Sequence, residues 1–191
     1  MHIVLFSGSF SPFHNGHFSL VKELIERKEV DQVWISVTPL NPHKSSSDLW
    51  PLDFRKLLVR EVYRDCPNVF ITEIEETLSF PLYTYNTLKA LQESYTENTF
   101  SLLVGGDNFH NFNTWYNAEN LLREFTLYIF PRETDIQGST TFMKNKGIHW
   151  LNVSTIDISS TIIRKKIENG EQIKDLVPSC IEQKIVSYIK I

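Results

Sequence analysis

Short apolar runs rich in β-branched and aromatic residues recur about every 30 residues, and segments with helical periodicity separate them. The runs are Ile3–Phe6, Val33–Val37, Val69–Thr72, Ser101–Val104 and Leu127–Phe130, with a sixth at Ile148–Val153. Runs that are apolar almost throughout are typical of parallel strands buried on both faces. The helical periodicity falls at 18–25, 54–62, 84–93 and 118–124. The sequence therefore predicts an α/β fold, an open parallel sheet of five or six strands with helices on both faces.

The C-terminal part of the chain has two further helix candidates, Ser159–Glu168 and Ser179–Ile189. Gly170 is well placed to end the first of them as a C′ residue. The chain has no internal repeat and a length that suits one domain. We therefore expect a single domain over residues 1–191, in which residues 159–191 form a helical subregion.

Composition limits the partners. The 191 residues contain 19 Lys and Arg against 23 Asp and Glu, a formal net charge of −4, which argues against coating DNA or RNA but leaves small anionic substrates open. No apolar stretch is long enough to span a membrane. The net charge and this observation together lead us to expect neither nucleic-acid nor membrane partners. Cys66 and Cys180 lie far apart without a CxxC pair, which favours a reducing, cytoplasmic location. The oligomeric state stays open, with a homodimer as one candidate.

The segment Ser7–His17 follows the first apolar run directly and leads into a helix. Asn15 is a good N-cap residue, which would place Gly16 and His17 in the first turn, where backbone N–H groups favour an anion. An isolated histidine pair of this spacing is usually a surface residue and a turn residue. A metal pair is the weaker interpretation, because no Cys or carboxylate lies at ligand spacing. Two imidazoles at an anion-binding helix start indicate phosphate chemistry.

The string GSFSPFHNGH resembles the GxFxPxHxGH signature of the nucleotidyltransferase superfamily with the (H/T)xGH motif. Near the C-terminus, Ser159–Arg164 resembles the second hallmark of that superfamily, which holds the ATP phosphates. Ser159 can cap a helix there, and Arg164, one turn in, offers a planar donor fork to a polyphosphate. Alone, this string would be an ordinary capped helix with a surface Arg. The two resemblances together imply a Rossmann-like nucleotidyltransferase fold.

The middle of the chain is similar to the bacterial nicotinate mononucleotide adenylyltransferases. The matching elements, in order, are the loop Asn41–Lys44, Arg55 in the next helix, Tyr83–Leu88, Gly105–Asn108, the pair Trp115-Tyr116, and Arg132 after the fifth strand. The chain departs from the usual family residues at four positions, Ser9, Ser11, Asn41 and Asn86.

The resemblance implies a catalytic set of His14, His17 and Arg164. It implies an ATP site formed by Gly8, Ser9, Phe10, His14, Gly16, His17, Gly105, Asp107, Arg132, Ser159, Ser160, Thr161 and Arg164. It implies a mononucleotide site formed by Ser9, Phe10, Lys44, Arg55, Tyr83, Thr84, Tyr85 and Trp115. The implied reaction is adenylyl transfer from ATP to nicotinate mononucleotide, a step of NAD biosynthesis. Mg²⁺ would be the cofactor, held by ATP phosphates and water rather than by a protein metal site.

Several of these residues have equally simple structural interpretations. Trp115 offers a flat face for a pyridine ring but could equally pack in the core. Lys44 could be solvated surface, and Asp107 could be a turn residue rather than a partner of ribose or of Mg²⁺-bound water. Three alternative functions stay open: adenylyl transfer to nicotinamide mononucleotide, adenylyl transfer to phosphopantetheine, and nucleotide binding without catalysis.

Overall fold

The computed structural model describes residues 1–39, 49–130, 147–152 and 158–189, and within them six parallel strands form one sheet. The strands are β1 (His2–Gly8), β2 (Gln32–Val37), β3 (Val69–Thr72), β4 (Thr99–Gly105), β5 (Thr126–Phe130) and β6 (Ile148–Trp150). Their order is β3-β2-β1-β4-β5-β6, and each neighbouring pair is parallel. The predicted open parallel α/β sheet is confirmed. The sixth strand ends at Trp150, and Val153 lies outside the described residues.

Seven helices accompany the sheet in the described part of the chain. They are α1 (Asn15–Ile25), α2 (Leu52–Val62), α3 (Thr84–Ser94), α4 (Gly106–His110), α5 (Ala118–Glu124), α6 (Ser160–Glu168) and α7 (Ser179–Ile189). Two 3-10 segments, Ile74–Thr77 and Phe112–Thr114, and the short helix α4 carry no periodic pattern that the sequence could show. As predicted, Gly170 follows the C-cap of α6 and has a positive φ of 73°.

Two apolar clusters cover the two faces of the sheet. One joins strand residues such as Val4 and Ile35 to α1, α2, α6 and α7, and the other joins residues such as Ile3 and Trp34 to α3 and α5. Alternate residues of the strands point to opposite faces, so a strand covered on both sides must be apolar at nearly every position. This requirement explains the unbroken apolar runs.

The strand order reverses between β1 and β4. The chain runs outward from β1 through β2 to β3, then returns to the other side of β1 with β4. In open α/β sheets, ligands bind beyond the carboxyl ends of the strands at this switch point. The loops after β1 and β4, which carry Gly8–His17 and Gly105–Asp107, lie at this location.

Candidate active site

The loop after β1 takes its shape from Phe10. Phe10 has a φ of 46°, in the left-handed region that residues with a Cβ atom rarely adopt. Its buried ring packs against Phe6 and Phe13, with centroids 5.0 and 5.5 Å apart. A Cβ atom on Gly8 would lie 2.8 Å from Cζ of this ring. Glycine is therefore required beneath Phe10, and burial of the ring offsets the backbone strain.

His14 and His17 form a reciprocal cap at the start of α1. The Nδ1 atom of His14 accepts from the His17 backbone N–H at 3.4 Å, and the Nδ1 atom of His17 accepts from the His14 backbone N–H at 3.3 Å. The rings stack with centroids 3.6 Å apart. Because Nδ1 accepts in both rings, these hydrogen bonds assign the proton of each neutral ring to Nε2. Nε2 is then the ring atom that can act as a hydrogen-bond donor.

Neighbouring residues fix the orientation of this pair. The His17 ring packs edge-on against Phe10, with centroids 5.0 Å apart, and also contacts Phe13 at 5.2 Å. A Cβ atom on Gly16 would lie 3.1 Å from Nδ1 and Cε1 of His14. Gly16 therefore lets the His14 ring lie close to the first helical turn.

The predicted N-cap was wrong by one residue, because His14 rather than Asn15 caps the helix. Asn15 is the first helical residue and makes two long-range hydrogen bonds instead. Its side-chain amide donates to the carbonyl of Asp175 at 2.7 Å, and its backbone N–H donates to the carbonyl of Leu176 at 2.9 Å. The Asn15 side chain therefore makes a tertiary hydrogen bond instead of capping the helix. Gly16 and His17 lie in the first turn, as expected.

Helix α6 brings the second motif to the same loop. Ser159 caps the helix by accepting from the Ile162 N–H at 3.2 Å, as predicted. The Ser160 hydroxyl donates to the carbonyl of Pro12 at 2.9 Å, and the Arg164 guanidinium donates to the carbonyl of Ser11 at 2.8 Å. A hydroxyl, a guanidinium, two imidazoles and two helix starts thus meet around residues 11–17. Such a set of donors suits a polyphosphate.

Comparison with known proteins identifies the family. Residues 5–166 match the Cytidylyltransferase-like family model. A protein of Bacteroides fragilis is 34 % identical over 182 residues, which cover 95 % of this chain and 90 % of that protein. A protein of Flavobacterium psychrophilum is 36 % identical over 179 residues, which cover 93 % and 92 % of the two chains. Both are named "Probable nicotinate-nucleotide adenylyltransferase".

The chain belongs to the nicotinate-nucleotide adenylyltransferase family. A solved structure of Plasmodium falciparum nicotinic acid mononucleotide adenylyltransferase complexed with NaAD has the same fold, with a TM-score of 0.83. That match covers 98 % of this chain and 95 % of the other at 19 % identity. The structure of the Plasmodium protein complexed with APC matches with a TM-score of 0.81.

In this member of the family, α3 and the Trp115-Tyr116 pair meet beside the sheet. The rings of Tyr83 and Tyr116 stack with centroids 4.4 Å apart. The partly exposed Trp115 ring packs on Phe112 at 5.2 Å. Tyr83 is the N-cap of α3, and no side chain caps the helix by a hydrogen bond. The Tyr85 hydroxyl points to α5 and donates to Glu124 at 3.3 Å. The predicted contact of Thr84 and Tyr85 with the mononucleotide stays a prediction.

Arg55 is buried and fastens three chain segments together. Its side chain is 1 % exposed, and its guanidinium donates to the carbonyls of Ser9 at 2.6 Å, Thr38 at 2.9 Å and Trp50 at 2.7 Å. Burial lowers the pKa of this guanidinium, but the usual value is so high that the group stays charged. Arg55 therefore connects the loops that follow β1 and β2. Its contact with the mononucleotide stays a prediction.

The remaining predicted residues divide into two groups. Ser9 lies in the β1–α1 loop, and its hydroxyl is buried without a hydrogen-bond partner among the described residues. Gly105 ends β4 and is the N-cap of α4. Lys44 and Arg132 lie outside the described residues, as does the side chain of Asp107. Their predicted roles stay predictions.

Sequence reasoning missed Glu75. This residue lies in the 3-10 segment after β3, is 5 % exposed, and accepts a hydrogen bond from the Ser7 hydroxyl at 2.8 Å. Burial raises the pKa of its carboxyl, and the hydroxyls around it oppose that rise. A polar residue shortly after the apolar run Val69–Thr72 was the available signal. It went unrecognised because two neighbouring glutamates, Glu73 and Glu76, make the segment resemble a solvated acidic loop.

No helix in the described part of the chain is both long and apolar enough to cross a bilayer. The described residues contain no group of three His, Cys, Asp or Glu side chains that could hold a metal ion.

Proposed function

We propose that this chain transfers the adenylyl group of ATP to nicotinate mononucleotide, producing nicotinate adenine dinucleotide and pyrophosphate. The observation that carries the proposal is the convergence of the His14–His17 cap and the Ser160–Arg164 docking contacts on one loop at the switch point of the sheet. The family of the chain, taken with this donor set, selects adenylyl transfer over nucleotide binding alone.

The reaction needs alignment more than proton transfer. A phosphate monoester has a second pKa near about 6, so the mononucleotide phosphate is mostly a dianion at neutral pH and needs no general base. One of its oxygens forms a bond to the α-phosphorus of ATP as the bond from that phosphorus to the β-bridging oxygen breaks. The electron pair of that bond leaves on pyrophosphate. The protein must hold the reactants in line and neutralise charge.

We assign the charge neutralisation to His14, His17 and Arg164. The Nε2 atoms of the two histidines donate to phosphate oxygens, and their orientation is fixed in advance by the reciprocal cap. Donors held in position in this way cost no reorganisation when charge develops in the transition state. Arg164 is only partly buried, and its contact with the Ser11 carbonyl points it along the same loop. The Ser9 hydroxyl is a further donor within that loop.

The mononucleotide is expected at α3 and Trp115. The uncapped first turn of α3 offers backbone N–H groups, including those of Thr84 and Tyr85, to the pyridine carboxylate. A carboxylate only accepts hydrogen bonds, whereas a carboxamide also donates, so these amides favour nicotinate over nicotinamide. Trp115 supplies a face for the pyridine ring. Arg55 supports the ATP site and the mononucleotide site through its hydrogen bonds to the Ser9 and Thr38 carbonyls. Lys44, Asp107 and Arg132 complete the proposed contacts with the substrates.

Mg²⁺ enters, in this proposal, as part of the ATP complex. The donors grouped around residues 11–17 are imidazoles, hydroxyls and a guanidinium, which are not the oxygen-rich ligands that Mg²⁺ prefers. Phosphate oxygens and water would therefore hold the ion, which would lower the charge of the departing pyrophosphate.

A pyrophosphate-release assay tests the proposal. Purified protein is incubated with ATP, Mg²⁺ and one of three acceptors: nicotinate mononucleotide, nicotinamide mononucleotide or phosphopantetheine. We expect release to be fastest with nicotinate mononucleotide, and mass spectrometry should detect the matching dinucleotide. Binding of ATP without pyrophosphate release from any acceptor would overturn the proposal, and faster release with another acceptor would replace the substrate assigned here. The same assay without protein serves as the blank.

A further inference from the structure

Glu75 is a buried carboxyl group that the proposed chemistry does not use. One of its oxygens, Oε1, accepts from the Ser7 hydroxyl at 2.8 Å and lies 3.5 Å from the Thr87 hydroxyl, whose single proton it shares with the Tyr83 carbonyl at 3.3 Å. The other oxygen, Oε2, is buried and has no hydrogen-bond partner among the residues that the structure describes. Burial raises the pKa of this carboxyl, and the surrounding hydroxyls, with those of Ser36 and Thr38 among them, oppose that rise.

These contacts join three elements around one side chain. Ser7 lies at the carboxyl end of β1, and its hydroxyl also bonds to the hydroxyl of Thr38 at 2.9 Å. Thr38 directly follows β2, and its carbonyl accepts from Arg55. Thr87 lies in the first turn of α3, where its N–H bonds to the carbonyl of Tyr83. Glu75 therefore links the ends of β1 and β2 to the start of α3.

The neighbouring glutamates behave differently. Glu73 and Glu76 are exposed and form ion pairs with Lys56 at 3.0 and 2.8 Å. Glu75 has no ion-pair partner in the described part of the chain and lies among hydroxyl groups instead. A buried carboxyl with an unsatisfied oxygen is costly to bury, so it contributes little to the stability of the fold. Its contribution is to fix the positions of the short hydroxyl side chains that surround it.

We propose that Glu75 is a positioning residue for the mononucleotide: through Thr87 it sets the first turn of α3 against the carboxyl ends of β1 and β2. This inference rests on the function proposed above. The turn that Glu75 positions contains the Thr84 and Tyr85 amides assigned to the pyridine carboxylate. Among the described residues, Glu75 accepts hydrogen bonds from Ser7 of β1 and Thr87 of α3, and only the α3 side leads to the proposed mononucleotide site, so a change here should alter the two substrates unequally.

Steady-state kinetics of Glu75→Ala, Glu75→Gln and Thr87→Val test this inference, with Glu76→Gln as a matched control on the neighbouring exposed carboxylate. We expect Glu75→Ala to raise the KM for nicotinate mononucleotide about fivefold or more and that for ATP less than about twofold, as a local loss of about 1 kcal/mol would do. Glu75→Gln keeps an acceptor for Ser7 and Thr87 and should stay within about twofold of the wild type for both substrates. Glu76→Gln should change neither KM.

Thr87→Val removes one donor from the α3 side and should shift the ratio of the two KM values in the same direction, but less. If Glu75→Ala does not fold, Thr87→Val tests the inference in its place. A folded Glu75→Ala or Thr87→Val enzyme whose two KM values move in parallel, or do not move, overturns the inference and leaves Glu75 a residue of the fold alone. The wild type separates the two proposals. Wild-type protein inactive on nicotinate mononucleotide refutes the proposed function, whereas an active wild type with unmoved variants refutes only the role of Glu75.

Discussion

Replacing Gly8 by alanine should damage both stability and turnover, because its missing Cβ makes room for Phe10. The added atom would lie 2.8, 3.0 and 3.2 Å from three ring atoms of Phe10. The ring is held between Phe6, Phe13 and His17, so it has no open space to move into. Overpacking of this kind costs about 1–3 kcal/mol. For a chain of this size, each kcal/mol lowers Tm by about 2–4 °C.

The effect on turnover follows from the contact between Phe10 and His17. The ring centroids are 5.0 Å apart and the rings meet edge to face, so a displaced Phe10 ring pushes the imidazole. A misplacement of about 1 Å can cost about 100-fold in rate, and a shift of a few tenths of an ångström should lower kcat about tenfold. The KM for ATP should change less, because the other phosphate donors keep their positions.

The matched control is Gly170→Ala, at a glycine with φ of +73° and no atom within 4 Å of an added Cβ. This variant should lose about 1–2 kcal/mol through its left-handed backbone alone, with an unchanged kcat. Urea unfolding and the pyrophosphate assay measure both quantities. A Gly8→Ala protein with wild-type kcat, or with a free energy of unfolding within about 0.5 kcal/mol of the wild type, would refute the reasoning.

Three further predictions concern single side chains. His17→Ala should lower turnover at least tenfold with a modest change in ATP affinity, since its donor acts mainly on developing charge; a variant that keeps more than about half of the wild-type rate would contradict this role. Trp115→Ala should raise the KM for the mononucleotide more than that for ATP, and equal increases would show that the ring is structural. Burial raises the pKa of the Glu75 carboxyl above its usual 4.5. The protonated carboxyl therefore makes its full contribution to the free energy of unfolding below pH 4.5. That contribution is lost as the pH rises through the folded-state pKa. Urea unfolding should therefore show the wild type losing stability relative to Glu75→Gln as the pH rises above 4.5, and an unchanged difference would exclude the shift.

The sequence alone determined where the strands of the sheet lie and which two segments match the superfamily motifs. Strands buried on two faces must be apolar at nearly every position, so the runs at Val33–Val37 and Ser101–Val104 could be located directly. The Ser159 cap and the Gly170 stop were also predictable, because capping depends on residues adjacent in the chain.

Only the tertiary structure decided which polar groups are partners. Asn15 has the local chemistry of an N-cap, yet its amide bonds to the carbonyl of Asp175, 160 residues away in sequence, and His14 takes the cap. Arg55 was predicted to contact the mononucleotide and Glu75 was given no role, and the fold buries both side chains. The local sequence pattern indicates which hydrogen bonds a residue can make with residues close to it in the chain. Long-range packing decides which of the competing hydrogen bonds is made, because a buried donor or acceptor must find its partner wherever the fold provides one.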